Sequence, residues 1–213
     1  MLVLFSGTGS IDKCAKEQDW DVISVDLDPS CGATHTEDVL DIPLDRWPEG
    51  YFDFIWASPV CTHFSRLQNT AKNRNPEDLL LSRRLILHTL LLIRSLKPTW
   101  WVLENPDSGT LKHESMMQNL NEKSAVVNYC KYSIPGGDEE YLYRKATRLW
   151  LNFDFTPLVC KHDCLASVNG KRHLTTAQRG TSRYCPTDRC YTQKTLYRVP
   201  RLLCLAILDA THH

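Results

Sequence analysis

The chain has 213 residues with no formal net charge, 25 Lys and Arg against 25 Asp and Glu, and 42% of its residues are hydrophobic, which suits one mid-sized domain. Charged residues break its most apolar stretch, residues 79–96, so the sequence predicts no membrane span, and the first residues lack the pattern of a secretory leader. Nine cysteines, an odd number, are a poor disulfide framework and are typical of thiols in a reducing compartment, so we expect an intracellular protein.

The first half of the chain predicts alternating strands and helices. Apolar runs that predict strands recur at residues 2–5, 21–26, 52–57 and 100–103. Helical patterns separate them at about residues 11–18 and 76–95. This alternation predicts a parallel α/β sheet, in which ligands bind at the carboxyl ends of the strands. The segments that bear on function are therefore residues 6–10, Asp26, residues 58–65 and residues 104–106.

A glycine turn follows the first predicted strand, and an acidic residue ends the second. Gly7 and Gly9 allow the backbone to turn sharply and approach a ligand, and Asp26 is placed to accept hydrogen bonds from ribose hydroxyls. A tight turn between a strand and a helix would explain the glycines alone, but their spacing to Asp26 favours a ligand. Asp38 is placed to receive an adenine amino group, although a solvated loop carboxylate is the alternative.

Two reactive side chains follow the next two strands. Cys61 can act as a nucleophile if positive charge or amide groups stabilise its thiolate, whereas the alternative is a small buried apolar residue. Glu104 comes directly after an apolar strand, where burial without a partner is costly. Glu104 therefore either meets solvent or holds a ligand.

The pattern loosens after residue 129. Arg148–Phe153 predicts a further strand, and Arg201–Ala210 predicts a helix that opens at Pro200. Residues 141–213 contain 12 Lys and Arg against 4 Asp and Glu, a net charge of +8 that balances −8 over residues 1–140. Such a basic third indicates a face that meets a polyanion, most simply nucleic acid.

Four cysteines lie between Thr156 and Gln193, where the sequence shows little periodicity, with His162 and His173 near them. They can supply zinc ligands and so stiffen a segment that is too short to build its own core. Their spacing is irregular for a zinc site, so unligated thiols are the alternative. The candidate ligands are Cys160, Cys164, Cys185 and Cys190.

Taken in order, these segments resemble the motifs of the DNA (cytosine-5) methyltransferase family, which uses S-adenosylmethionine. Residues 5–10 resemble its F-x-G-x-G-G cofactor loop, residues 59–65 its P-P-C-Q-x-F-S nucleophile loop, and Glu104-Asn105 its E-N-V motif. Residues 143–150 are similar to the Q-x-R-x-R region of short viral and phage members. Residues 197–202 are similar to the final motif, whose helix packs beside the cofactor loop.

The resemblance implies a fold, a division of the chain and a cofactor site. The fold is α/β and Rossmann-like, with a mostly parallel sheet and a small basic C-terminal segment that contains cysteines. It comprises a catalytic core (1–153), a short recognition segment (154–196) and a returning C-terminal helix (197–213). The residues expected beside S-adenosylmethionine are Phe5, Ser6, Gly7, Thr8, Gly9, Ser10, Asp26, Leu27, Asp38, Val39 and Pro59.

The resemblance also implies how the reaction proceeds. Cys61 would add to C6 of a cytosine flipped out of the DNA duplex, and Glu104 would hold the exocyclic amine and N3 of the ring. Either Arg144 or Arg148 would grip the O2 atom of the base. The residues expected to contact nucleic acid are Ser65, Arg172, Arg179 and Arg183.

Departures from the family pattern leave alternatives open. Val60 replaces the second proline of the nucleophile loop, Pro106 replaces the valine of E-N-V, and Ala146 takes the place of the central arginine. About fifty residues separate Arg148 from Tyr197, so we expect short or relaxed sequence specificity. The alternatives are an RNA cytosine-5 methyltransferase and a catalytically silent nucleic-acid-binding subunit. A nicotinamide-dependent oxidoreductase would need neither the cysteine loop nor the E-N pair.

Overall fold

A central sheet of seven strands organises the protein. The computed structural model describes residues 1–65, 75–134, 141–175, 177 and 191–211. The strands of the sheet are β1 (Leu2–Leu4), β2 (Ile23–Asp26), β3 (His35–Thr36), β4 (Phe54–Ala57), β5 (Trp100–Pro106), β6 (Lys123–Asn128) and β7 (Ala146–Leu151). They lie in the order β3–β2–β1–β4–β5–β7–β6. The first five strands are parallel to their neighbours, and β7 runs antiparallel between β5 and β6.

This order confirms the predicted α/β fold with a mostly parallel sheet. The dinucleotide-binding fold has the order 3-2-1-4-5-6 with parallel strands, and here an antiparallel strand is inserted beside β5. The insertion argues against the nicotinamide-dependent alternative. It also brings residues of β7 next to the strand that carries Glu104.

Five helices accompany the sheet in the described part of the chain. They are α1 (Ser10–Lys16), α2 (Pro76–Leu96), α3 (Ser115–Gln118), α4 (Gln193–Tyr197) and α5 (Arg201–Asp209). The longest, α2, begins where Asn75 caps it by accepting a hydrogen bond from the Glu77 amide, with Pro76 in its first turn. No helix among the described residues is long and apolar enough to span a membrane.

Both faces of the sheet are buried, which explains the continuous apolar runs of its strands. Phe54 and Trp56 of β4 point to the face covered by α1 and α5, whereas Ile55 and Ala57 point to the face covered by α2. Successive side chains of a strand alternate between faces, so a strand covered on both sides must be apolar throughout.

The C-terminal helix α5 packs against α1, the helix that follows the glycine turn. Leu203 and Ile207, one helical turn apart, are fully buried in the core on this face of the sheet. Arg201 at the start of α5 pairs with Glu17 at the end of α1 over 2.7 Å. The last part of the chain thus supports the first loop of the sheet.

The predicted elements are present with shifted bounds, and the structure also contains elements that the sequence did not predict. The strand predicted over Arg148–Phe153 is β7, which begins two residues earlier and ends at Leu151. Strand β6 was not predicted, because its first residues are exposed at the edge of the sheet and carry polar side chains. A small two-stranded sheet, β8 (Ser167–Val168) and β9 (Arg172–His173), lies in the region where the sequence shows little periodicity.

Candidate active site at the carboxyl edge of the sheet

The structure brings the segments singled out in the sequence to one edge of the sheet. Strands β1, β2, β4 and β5 are parallel, so the segments that follow or end them share that edge. The glycine turn, Asp26, the loop of Cys61 and Glu104 all lie there. This is the edge at which α/β proteins bind ligands.

The glycine turn is held in place by Asp26. Gly7 and Gly9 have φ angles of 54° and 67°, in the left-handed region where only glycine is unstrained. The Gly7 amide donates to Asp26 Oδ2 over 2.8 Å, and the Asp28 amide donates to Oδ1 over 2.8 Å. Each carboxylate oxygen can accept a second hydrogen bond, so Asp26 keeps the capacity to bind a hydroxyl group of a ligand.

The surroundings of this turn fit an adenosine-like group. Among the described residues, no atom outside Gly9 and its two chain neighbours lies within 4 Å of where a Cβ on Gly9 would be, so a ligand can approach the backbone closely. The Leu27 side chain is 68% exposed beside Asp26, which leaves an apolar surface for a planar ring. Asp38 accepts a hydrogen bond from the Leu40 amide and anchors a short turn that contains the buried Val39.

The loop that carries Cys61 is fixed by contacts from the β5 side. Cys61 is half-buried at the start of a short 3-10 turn, and the Asn105 side chain donates to the Pro59 carbonyl over 2.9 Å. The Phe64 carbonyl accepts a hydrogen bond from the Thr110 amide over 2.8 Å. The side-chain amide of Asn105 therefore stabilises the position of the cysteine loop.

Glu104 is only 7% exposed and has a buried hydrogen-bond partner. The Tyr129 hydroxyl donates to Glu104 Oε1 over 3.1 Å. Burial, together with the nearby Glu104 charge, raises the pKa of Tyr129 well above its ordinary value. Tyr129 therefore stays protonated and remains a donor to the carboxylate.

Lys145 is a functional candidate that the sequence reasoning missed. Its Nζ donates to the Leu196 carbonyl over 2.9 Å and lies 4.5 Å from the centre of the Tyr129 ring. Burial lowers the pKa of Lys145, whereas the charges of Glu104 and of a Cys61 thiolate act to raise it. The ammonium group is thus within electrostatic reach of both predicted catalytic groups. Its position within residues 143–150 is the available signal in the sequence, but the pattern that this region resembles assigns the role to arginines.

The structure places Arg148 away from Glu104. Arg148 Nε donates to Asp107 over 2.9 Å, and its Nη1 donates to Ser124 over 3.0 Å. Arg148 lies opposite Asn105 in the β5–β7 pairing, so its side chain leaves the sheet on the face opposite to that of Glu104. Arg144 is exposed. Their assignment to the O2 atom of the base stays a prediction.

The residues expected to contact nucleic acid are only partly described. Ser65 is half-buried at the end of the cysteine loop, and Arg172 is exposed on β9. Arg179 and Arg183 lie outside the described residues.

A group of cysteine and histidine side chains lies beyond the end of β6. Two of the predicted ligands, Cys160 and Cys164, meet there with His173, which the sequence placed near them, and with Cys130, which the sequence did not indicate. The ring of His162 lies 5.2 Å from that of His173 but does not belong to the group. The other two predicted ligands, Cys185 and Cys190, lie outside the described residues.

Two solved structures share this fold. One, assigned as a DNA modification methyltransferase encoded within an E. coli prophage, has a TM-score of 0.51 and 19% identity over 70% of this chain and 45% of its own. The S. pombe Dnmt2 methyltransferase has a TM-score of 0.50 and 15% identity over 80% of this chain and 56% of its own. The chain thus spans about half the length of these proteins. Its fold is that of a Rossmann-like α/β methyltransferase.

A curated relative narrows this class. The "Probable DNA (cytosine-5)-methyltransferase" of Frog virus 3 (isolate Goorha) is 33% identical over 230 residues, covering 98% of each chain. No protein-family model matches the chain. The chain belongs to the DNA (cytosine-5)-methyltransferase family.

Proposed function

We propose that the protein transfers a methyl group from S-adenosylmethionine to C5 of cytosine in DNA, with Cys61 as the nucleophile. The observation that supports this most directly is the convergence of Cys61, Glu104 and the Lys145 ammonium at the edge that also carries the glycine turn. The name of the viral relative supports DNA as the substrate.

The residues around the glycine turn suit the cofactor. S-adenosylmethionine supplies an electrophilic methyl group when it is bound. The free acceptor capacity of Asp26 suits the ribose hydroxyls, the exposed Leu27 suits one face of the adenine ring, and the Asp38 carboxylate suits its amino group.

Cys61 and Glu104 have different roles at the cytosine ring: Cys61 is the nucleophile and Glu104 binds the ring. The Cys61 thiolate adds to C6, which makes C5 nucleophilic toward the methyl group. Transfer of the methyl group to C5 would break its bond to the sulfonium sulfur of the cofactor and leave a neutral thioether. Loss of the C5 proton to solvent and cleavage of the bond between Cys61 sulfur and C6 would then restore the aromatic ring and regenerate the thiolate. Glu104 binds N3 and the exocyclic amine, and the Tyr129 hydroxyl holds the carboxylate in place.

Lys145 supplies the positive charge that this site needs. A thiolate is stabilised by a nearby cation, and the ring gains negative charge when sulfur adds to it. Because Arg148 pairs with Asp107 on the opposite face of the sheet, we assign to Lys145 part of the role that the family pattern gives to an arginine. The target base must leave the stack to reach this edge, at a cost of about a few kcal/mol.

The recognition of sequence is short or relaxed. About fifty residues lie between Arg148 and Tyr197, and each base that is read needs a side chain or loop at a groove edge. Bisulfite mapping of random DNA after methylation should therefore give a motif of about one to four defined base pairs. A strict motif of six or more bases would contradict this assignment.

The test is methyl transfer from labelled S-adenosylmethionine to matched DNA and RNA, followed by identification of the methylated nucleoside. We expect 5-methylcytosine in DNA and a covalent adduct on 5-fluorocytosine DNA. Cys61→Ser should abolish both signals, and Glu104→Gln should reduce transfer severely, whereas Glu49→Gln, an exposed control, should change neither. Transfer to RNA alone would favour the RNA alternative, and no transfer to either polymer would favour the silent binding subunit.

A further inference from the structure

We propose that the protein holds a structural Zn²⁺ ion, bound by Cys130, Cys160, Cys164 and His173. One ligand atom from each of these four residues lies within 4.8 Å of the other three. Cys130 lies in the turn after β6, Cys160 and Cys164 lie in the loop between β7 and β8, and His173 lies on β9. Three thiols and one imidazole form a common donor set of closed, tetrahedral zinc sites.

The interatomic distances fit a tetrahedral zinc ion. The sulfur atoms of Cys130 and Cys160 each lie 3.4 Å from Nε2 of His173. Zinc bonds of about 2.3 Å to sulfur and about 2.0 Å to nitrogen, at the tetrahedral angle, separate the two ligand atoms by about 3.5 Å. Ordinary hydrogen bonding does not explain this arrangement, because one ring nitrogen cannot make two in-line bonds through a single proton or lone pair.

The protein backbone places the ligands before any ion is considered. The Cys160 amide donates to Asn128 Oδ1 over 2.8 Å, and the Ser167 amide donates to the Cys164 carbonyl over 3.0 Å. Lys131 and Asp163 form an ion pair of 3.0 Å beside the group. These contacts hold the loop against the end of β6, so that its two cysteines face Cys130.

The segment that contains three of the ligands has little core of its own. Four of its large apolar residues are exposed, and the side chain of Leu165 is the most exposed of them at 69%. The exposed residues of this kind are Leu158, Val159, Leu165 and Leu174. A segment that buries so little apolar surface needs another source of stability, and a metal ion is the usual one in small modules.

The ion would connect the basic hairpin β8–β9 to the end of β6, which lies next to Tyr129 and Glu104. Cys130 directly follows Tyr129, whose hydroxyl donates to Glu104. His173 lies on β9, next to the exposed Arg172 and close to Lys171. A zinc ion at this position therefore ties the basic hairpin β8–β9 to the strand end that supports the catalytic carboxylate.

The metal content of the untagged full-length protein, purified from zinc-supplemented culture, tests this proposal. We expect about one zinc ion per chain in the wild type and a loss of at least tenfold in Cys164→Ser and His173→Ala. His162→Ala and Cys31→Ser are the matched controls and should keep the ion, since His162 lies beside the group without joining it. The double variant Cys185→Ser/Cys190→Ser should also keep it. Zinc-free wild-type protein, or loss only in this double variant, would overturn the assignment.

Cobalt substitution of the wild-type protein gives a second measurement that needs no variant. Co²⁺ in the proposed site should show the intense visible bands of tetrahedral coordination and a strong thiolate-to-cobalt charge-transfer band from three sulfur ligands. Weak bands of octahedral cobalt without thiolate charge transfer would contradict the site. Neither measurement depends on methyl transfer, so failure of the metal site and failure of the proposed function are distinguishable.

Discussion

The carboxylate of Glu104 is buried in a core that supplies it with a neutral donor and a nearby cation. Tyr129 comes from the residue after β6, and Lys145 from the residue before β7. Burying a carboxylate without such partners costs free energy, so Tyr129 and Lys145 are what allow Glu104 to be buried. The hydrogen bond from Tyr129 also fixes the orientation of the Glu104 carboxylate at the edge where the substrate would bind.

Removal of the Tyr129 hydroxyl should therefore reduce turnover more than stability. In Tyr129→Phe the ring still fills its place in the core, but Glu104 loses a hydrogen bond of 3.1 Å. We expect kcat to fall about tenfold with little change in KM for DNA, because about 1 kcal/mol or slightly more of orientation is lost. Tyr51→Phe, an exposed control, should leave kcat unchanged. Equal kcat in both variants would remove Tyr129 from the site.

Asp107 should make stability depend on acid pH through its pairing with Arg148 and Lys112. Burial acts to raise the pKa of Asp107, but the hydrogen bonds from these two cations more than offset it, so the folded-state pKa lies below 3.8. The stabilisation is thus present above pH 3.8 and is lost as the pH falls through the lowered value. We expect Asp107→Asn to reduce the free energy of unfolding by about 2 kcal/mol at pH 7.

The difference between wild type and Asp107→Asn should shrink in denaturant titrations below pH 3.8. Asp154→Asn is the matched control, since Asp154 pairs with Lys123 but its side chain is 95% exposed, and it should change stability by less than about 0.5 kcal/mol. A constant difference for Asp107→Asn across this pH range would show that the charge of Asp107 is not what stabilises the fold.

The sequence located side chains correctly where they sit at a strand end, and their functional roles stay predictions. Asp26 and Glu104 were located because parallel strands deliver their carboxyl ends to one edge. Tyr129 and Lys145 could not be located in this way, because their approach to Glu104 depends on how β6 and β7 pair. The register of that pairing is set by long-range packing and is not visible in the local pattern.

At the scale of elements, the cysteine loop and the segment after β5 approach each other closely at Gly109. A Cβ on Gly109 would lie 3.2 Å from the Phe64 carbonyl oxygen and 3.3 Å from that of Pro106. Only a residue without a side chain fits there unless the two segments separate. The position of Cys61 therefore depends on a contact made almost fifty residues later in the chain.

Gly109→Ala should displace this loop and lower both stability and activity. Overpacking of this kind costs about 1 to 3 kcal/mol, and movement of Phe64 would carry Cys61 with it. We expect a lower midpoint in urea unfolding and a reduced rate of adduct formation with 5-fluorocytosine DNA. Ser108→Ala, at the exposed neighbouring position, should change neither. An unaltered adduct rate in Gly109→Ala would mean that the loop does not depend on this contact.

Element prediction worked for buried strands and failed for strands at the edges of the sheet. The two-residue β3 is too short to leave a pattern. The first residues of β6, Lys123 and Ser124, are polar and exposed, so they obscure the strand pattern of the later residues Val126 and Val127. In contrast, all four residues of β4 are buried, which gave an unbroken apolar run.

At the scale of the whole molecule, charge is segregated along the chain. Residues 141–213 carry a net charge of +8 and residues 1–140 a net charge of −8. The described hairpin β8–β9 presents Lys171 and Arg172 to solvent. Phosphate contacts by such cations release counterions, which makes binding weaken steeply with salt. The basic third should therefore dominate affinity for DNA.

Neutralisation of Arg172 should flatten the salt dependence of DNA binding. We expect Arg172→Gln to reduce the slope of log affinity against log salt concentration by about one unit, the effect of one lost phosphate contact. Arg94→Gln, an exposed control on α2 in the acidic part of the chain, should leave the slope unchanged. The same slope in Arg172→Gln and wild type would place the phosphate contacts elsewhere. The expected contacts of Arg179 and Arg183 with nucleic acid stay predictions of the same kind.

The insertion of β7 between β5 and β6 has a consequence for synthesis on the ribosome. Five strands of the sheet are complete by residue 106, but the free edge of β5 finds its partner only when residues 146–151 have emerged. Until then the nascent chain carries an unpaired edge next to the apolar run Trp100–Leu103, which is the kind of edge that recruits strands from other chains. Chains that stall or are cut before β7 should therefore aggregate, and a chaperone that covers this edge would raise the yield of folded enzyme.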